Sequence, residues 1–222
     1  MKNLVFTEVT PTERAHAWAA TLLNRHGLVT RETAAVEGLR GGFAGVYQVL
    51  RSMEEAGRIR RGYFVEGLGG AQFAYPGVVE RLRRVRDEEA EPEVVVLSAT
   101  DPANPYGWLL PWPEYQDPTA QPPRRSVGAA VVLVDGAPVL YLDQGGKRLR
   151  TLAGAEPESL LRALNALRTL AHRRPRNTLT VEKVDGHPAA ASPLTRLLQE
   201  VGVVREYQSM RLYVRSLTDG EE

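Results

Sequence analysis

The feature that most constrains this chain is a change of period near Gly57. From Thr10 to Met53 apolar residues recur every three or four positions, in blocks punctuated by glycine; from Ile59 to Tyr75 they fall in extended runs around a glycine-rich loop. Thr10-Pro11-Thr12-Glu13 is a capping box, so a helix starts there. Ala15, Trp18, Ala19, Leu22 and Leu23 give its apolar face and Gly27 closes it. Thr30 caps a second, short helix ended by Gly38. A third helix follows Gly41-Gly42, with Phe43, Val46, Leu50 and Met53 as its stripe and Gly57 just past its end. Ile59, Tyr63, Phe64 and Val65, then Phe73 and Tyr75, are strand formers joined through Glu66–Gly70 as a hairpin. Three helices and then a hairpin is the order of a winged helix-turn-helix, whose third helix enters the major groove while the wing follows the backbone. Pro76 opens a further helix to Arg86.

Asp87–Glu93 is an acidic, proline-bearing run and reads as a linker. Beyond it, Val94–Leu97 is an apolar strand, and Asp101–Pro123 is a loop with seven prolines. Val127–Val134 and Val139–Asp143 flank an Asp135-Gly136 turn, a strong hairpin signal. Gly145-Gly146 turns the chain into a third strand, Lys147–Leu152. Leu160, Leu164, Leu167 and Ala171 then mark a helix, and Leu179, Val181 and Val184 a strand. Ser192-Pro193 opens a helix carrying Leu194, Leu197, Leu198 and Val201, and Leu212 and Val214 close the chain as a strand. Asp-Gly-x-Pro occurs at 135–138 and 185–188, which we read as turn chemistry used twice. The expected class is α+β: a winged-helix domain over 1–86, a β-barrel-like antiparallel domain over 94–152, and a small α/β segment over 153–222 packed on it.

Composition narrows the function classes. The chain has no Cys, so disulfides, thiolate zinc sites and cysteine nucleophiles are out. His16, His26, His172 and His187 are scattered without carboxylates at ligand spacing, so neither a metal nor a cofactor is expected. No run approaches the ~18 apolar residues of a membrane span, and the N-terminus turns acidic before a signal core forms. A cytoplasmic protein is the expectation. The net charge of +1 argues against a strongly basic nucleic-acid protein. Yet the sum hides an asymmetry: Arg40 to Arg86 holds nine Arg against four Glu, a local excess of +5.

Arg40 and Arg51 on the third helix, and Arg58, Arg60 and Arg61 entering the wing, stand where a winged helix meets DNA. Guanidinium forks suit phosphate oxygens, and Tyr63 adds a ring that could stack on a base or sugar. A solvated basic face is the alternative. The stretch Thr100–Pro113 is the least generic. Its Tyr106, Trp108 and Trp112 form a candidate platform for a flipped or single-stranded base, and Asp101 after the strand is a candidate general base. Alternatively Asp101 caps a turn and the aromatics seal an interface. Gly145-Gly146-Lys147 lacks the rest of a phosphate-binding P-loop.

Taken together, Thr30-Arg31-Glu32, Gly41-Gly42-Phe43, Val46-Tyr47, Arg60–Gly69 and Ala71–Ala74, with Asp101–Gly107 and Leu110-Pro111-Trp112-Pro113, resemble the C-terminal region of the large helicase-related (Lhr) proteins over residues 10 to 215. Lhr proteins are bacterial DNA helicases, and their C-terminal extension is similar to AlkZ-type DNA glycosylases. The resemblance implies winged helices stacked on a β-barrel, DNA as partner, a helicase motor in cis or in trans, a nucleoid location and a link to excision of uracil. A homo-oligomer is also compatible with it. AlkZ-type enzymes use a Gln-x-Gln pair, whereas Gln48, Gln72 and Gln116 stand alone here. A DNA-binding accessory module of a repair helicase is therefore the first expectation. A glycosylase-like domain and a stand-alone winged-helix regulator are the alternatives.

Overall fold

The structure is a computed structural model that describes residues 9–87, 91–115 and 121–214. It divides into two compact units, Met1–Ala90 and Glu91–Glu222. In the first, α1 (Pro11–His26) starts at the capping box, with Thr10 and Glu13 bonded reciprocally, and ends at Gly27 in the left-handed region. Next come β1 (Leu28–Val29), α2 (Arg31–Val36) and α3 (Ala44–Glu55). Then β2 (Arg60–Gly62), β3 (Gln72–Ala74) and α4 (Pro76–Asp87) complete the unit. The strands form one antiparallel sheet in the order β1-β3-β2. Its core joins Leu22 and Leu23 of α1, Val46 and Leu50 of α3, and Phe73 of β3, all buried. This is a winged helix.

The first unit departs from the sequence reading at β1, which that reading does not include, and in two further details. The extended run Tyr63–Val65 is not strand, because β2 stops at Gly62. Arg40 is not on the third helix; it lies in the turn ahead of α3. Gly41 and Gly42 have φ of 84° and 57°, which a right-handed helix cannot hold, so α3 begins only at Ala44.

The second unit runs β4 (Val94–Ser98), β5 (Ala130–Val134), β6 (Ala137–Asp143), β7 (Arg148–Thr151), α5 (Pro157–Asn165) and α6 (Leu167–His172). It continues with β8 (Thr178–Val181), β9 (Lys183–Val184), β10 (His187–Pro188), α7 (Thr195–Glu200), β11 (Val204–Glu206) and β12 (Ser209–Tyr213). A six-stranded sheet has the order β10-β9-β7-β6-β5-β4, and a three-stranded sheet the order β11-β12-β8. The larger sheet is open, with β4 and β10 as its ends. A barrel requires the end strands to pair, and the described residues contain no closed barrel. Residues 94–152 and 153–222 share one core, in which Val132, Leu140 and Leu149 meet Leu164, Leu167, Leu179 and Leu198. The strand expected over 179–184 is two strands in different sheets, broken where the N–H groups of Glu182 and Lys183 both donate to Lys147 O.

Both Asp-Gly turns serve as clamps. Asp135 and Asp185 have φ of 50° and 47°, each followed by a glycine at positive φ, the geometry of a tight hairpin turn. Asp135 donates its N–H to Glu93 O and accepts from Glu93 N at 2.8 Å through Oδ1. Asp185 donates to Leu149 O and accepts from Thr151 N at 2.8 Å. Each aspartate thus ties its hairpin to a neighbouring strand end.

Candidate nucleic-acid interface

The second helix is fixed by Thr30 and Thr33, both buried. The Thr30 hydroxyl accepts from Glu32 N and Thr33 N, and Thr33 Oγ1 accepts from Thr30 N at 2.8 Å. The turn after α2 presents Arg40 to solvent. On α3, Val46, Leu50 and Met53 face the core, which leaves Ala44, Gln48, Arg51 and Glu55 along the exposed side. Ala44 and Gln48 line two clefts. One of about 500 Å³ lies against Pro11, Ala15 and His16 of α1. The other, of about 480 Å³, lies against Arg31 and Ala71. Sequence reasoning passed over Gln48 as a surface contact, although its place midway between buried Val46 and Leu50 marks it as exposed.

In the wing, Ile59 is buried while Arg58, Arg60 and Arg61 are exposed, and Tyr63 is 89% exposed. β2 is an edge strand, so Arg60 and Arg61 flank an open rim. The five candidate arginines are not equivalent. Arg51 Nε lies 2.9 Å from Glu55 and Arg61 Nε 3.5 Å from Glu54. Arg40, Arg58 and Arg60 make no ion pair among the described residues. Exposed pairs of this kind contribute only about 0–1 kcal/mol, so Arg51 and Arg61 can exchange a carboxylate for a phosphate at little cost.

Gln72, fully buried, shapes the wing. Its Oε1 accepts from Phe64 N at 2.8 Å and Val65 N at 2.9 Å, while Nε2 donates to Val65 O at 2.9 Å and Leu68 O at 3.0 Å. One side chain replaces the ladder that a longer β2 would supply, which is why Tyr63–Val65 leaves the sheet and Tyr63 projects outward. Nothing in the sequence singles Gln72 out except a polar residue inside an apolar strand.

In the second unit, Asp101 sits in a turn after β4. Its Oδ1 accepts from Ala103 N at 2.9 Å, and its N–H donates to Ser98 O. Tyr106 and Trp112 are brought together, stacked at 5.9 Å, with Trp112 edge-on to Tyr141 at 5.4 Å. Tyr106 donates to Gly136 O at 3.0 Å, and its burial pushes the phenol above its ordinary range. Trp108 stands apart, 39% exposed, with Nε1 donating to Asn104 O at 2.7 Å and the Arg125 guanidinium 5.3 Å from its ring. Arg125 and buried Asn104, missed in the sequence, hold the loop. Arg125 donates to the carbonyls of Thr100, Asp101 and Asn104, and Asn104 Nδ2 donates to Ala99 O. Gln116 lies outside the described residues. Among the described residues no group of three His, Cys, Asp or Glu is placed to hold a metal, and no helix is long and apolar enough to cross a membrane.

Residues 8–94 match the family model described as large helicase-related protein, winged-helix domain. The chain is Lhr-related. It is 48% identical over 179 residues to a Mycolicibacterium smegmatis protein named Lhr helicase/probable uracil glycosylase. It is 43% identical over 196 residues to the Escherichia coli Lhr helicase/uracil glycosylase. These matches cover 79% and 86% of the chain but only 12% of each relative. The similarity extends past the winged helix into the second unit of this Lhr-related chain, since 179 matched residues exceed the length of the first.

Proposed function

We propose that this chain is a DNA-binding accessory module that serves an Lhr-type helicase motor, joined to it in cis or in trans, in the bacterial cytoplasm. These 222 residues carry no Walker-type phosphate loop, so the module binds and positions DNA while the motor's chemistry lies elsewhere. One observation carries the reading: a winged helix with Arg40, Arg58 and Arg60 exposed around α3 and the wing and without an ion pair among the described residues, joined by Arg51, Arg61 and Tyr63. Guanidinium groups there neutralise phosphates, and each contact releases counterions. The test is fluorescence anisotropy on single-stranded and duplex DNA with the chain and its Arg58→Ala/Arg60→Ala variant. The reading expects weaker binding for the variant; equal binding refutes it.

The names of the two relatives favour a second reading, a domain that excises uracil. Asp101 is its candidate general base, with Tyr106, Trp108 and Trp112 as candidate base contacts. A uracil-containing oligonucleotide decides it: abasic-site formation lost in Asp101→Ala supports the role, and no abasic product from the intact chain rejects it.

A further inference from the structure

A second local charge excess lies in the other unit. Between Glu158 and Glu182 there is no acidic residue, and five arginines occupy the interval. Arg162 is paired with Glu158, and Arg168 donates to Val201 O at 2.9 Å, which leaves Arg173, Arg174 and Arg176 in the turn between α6 and β8. Arg173 is anchored across the unit by Nη1 donating to Val96 O at 3.2 Å. Neither Arg174 nor Arg176 makes an ion pair among the described residues. Arg176 has φ 61° and Asn177 φ 50°, so the backbone bends sharply and leaves Arg176 exposed at the tip.

The turn does not stand alone. The Arg174 guanidinium approaches Gly145 so closely that a Cβ there would lie 3.4 Å from Nη1. Two residues on, Lys147 O accepts from Lys183 N at 3.0 Å, and Arg148 pairs in register with Lys183. These turns place Arg174 and Arg176 beside the segment that carries Lys147, Arg148 and Lys183, while the Arg173 guanidinium is held at β4. Two acids of the described residues pair in this region: Glu182, 2.8 Å from Lys147 Nζ, and Asp143, which faces the buried Arg150 at 3.0 Å.

We infer that this patch, centred on Arg174 and Arg176, is a second phosphate-backbone contact for DNA, separate from the wing. Its chemistry is that of guanidinium forks and ammonium groups spread over neighbouring turns, which suits a phosphate chain read without regard to base. The inference rests on the DNA-binding reading and extends it to the second unit.

The experiment measures DNA affinity against salt for the full chain, Arg174→Ala/Arg176→Ala, the wing variant Arg58→Ala/Arg60→Ala, and Arg196→Ala. Arg196 is an exposed arginine of the same unit, paired with Glu200. Each lost phosphate contact reduces the slope of log K against log[salt] by about 0.9 on duplex DNA. The patch variant is expected to lose about 2 from the slope and at least tenfold in affinity at low salt, with Arg196→Ala close to wild type. Arg176→Gly supplies a variant whose backbone favours the native φ, and it should lose about 1. A patch variant indistinguishable from Arg196→Ala, while the wing variant binds weakly, overturns the second contact alone. A full chain with no salt-dependent binding overturns the DNA reading and this inference together.

Discussion

Removing the Gln72 carboxamide tests how the wing is built. Gln72→Ala deletes four hydrogen bonds to main-chain groups of Phe64, Val65 and Leu68. A typical bond contributes about 0.5–1.5 kcal/mol net, and the wing residues are half exposed, so water recovers part of the loss. The expected cost is therefore about 2–4 kcal/mol. For a unit the size of Met1–Ala90 that lowers Tm on the order of 10–20 °C if the unit melts as a whole. Local opening of the wing caps the thermal effect, so the sharper assay is amide hydrogen exchange at Phe64 and Val65, whose N–H groups lose their acceptor. Gln72→Glu separates the two halves of the staple. It retains both acceptances but sets carboxylate oxygens against the Val65 and Leu68 carbonyls, so it too should destabilise the wing. Unchanged exchange at both amides in Gln72→Ala, with Tm within about 2 °C of wild type, would refute the assignment.

Two further predictions concern stability. Gly107 has φ 81°, and a Cβ there would lie 2.3 Å from Trp112 Nε1. Gly107→Ala should therefore destabilise the second unit by at least the ~1–2 kcal/mol of a left-handed alanine; thermal unfolding followed by tryptophan fluorescence measures it, and an unchanged midpoint contradicts it. Arg25, 2.5 Å from Glu37, is the chief cause that holds the Glu37 carboxyl below its ordinary range, with His26 at 2.9 Å adding to it. A depressed folded value means the stabilisation is present above the ordinary glutamate value of about 4.3. It is lost as pH falls through the folded value. The Tm gap between wild type and Glu37→Gln should be wide at neutral pH and narrow in acid; a gap independent of pH contradicts it.

The winged helix was legible because its signals are local. The Thr10 and Thr30 caps, the glycines at 27, 38 and 57 and the helical stripes each act within a few residues. What escaped depends on partners distant in sequence. β1 is two residues long and exists only through pairing with β3. The run Tyr63–Val65 is extended by composition, but Gln72 takes the bonds a strand would make. β8 and β9 enter different sheets because of the break at Glu182–Lys183, where Lys147 O captures two N–H groups. In the candidate sites, residue types and exposure in the wing could be read from alternation around Ile59. The pairing of Arg61 with Glu54 could not, nor could the hold of Arg125 on the loop around Asp101.

The central claim is that the wing arginines contact phosphates. The most direct measurement is the salt slope of duplex DNA binding for the chain and for Arg58→Ala/Arg60→Ala. The account predicts a slope shallower by about 2 in the variant, with weaker binding at every salt concentration. Identical slopes and affinities for the two proteins would contradict it.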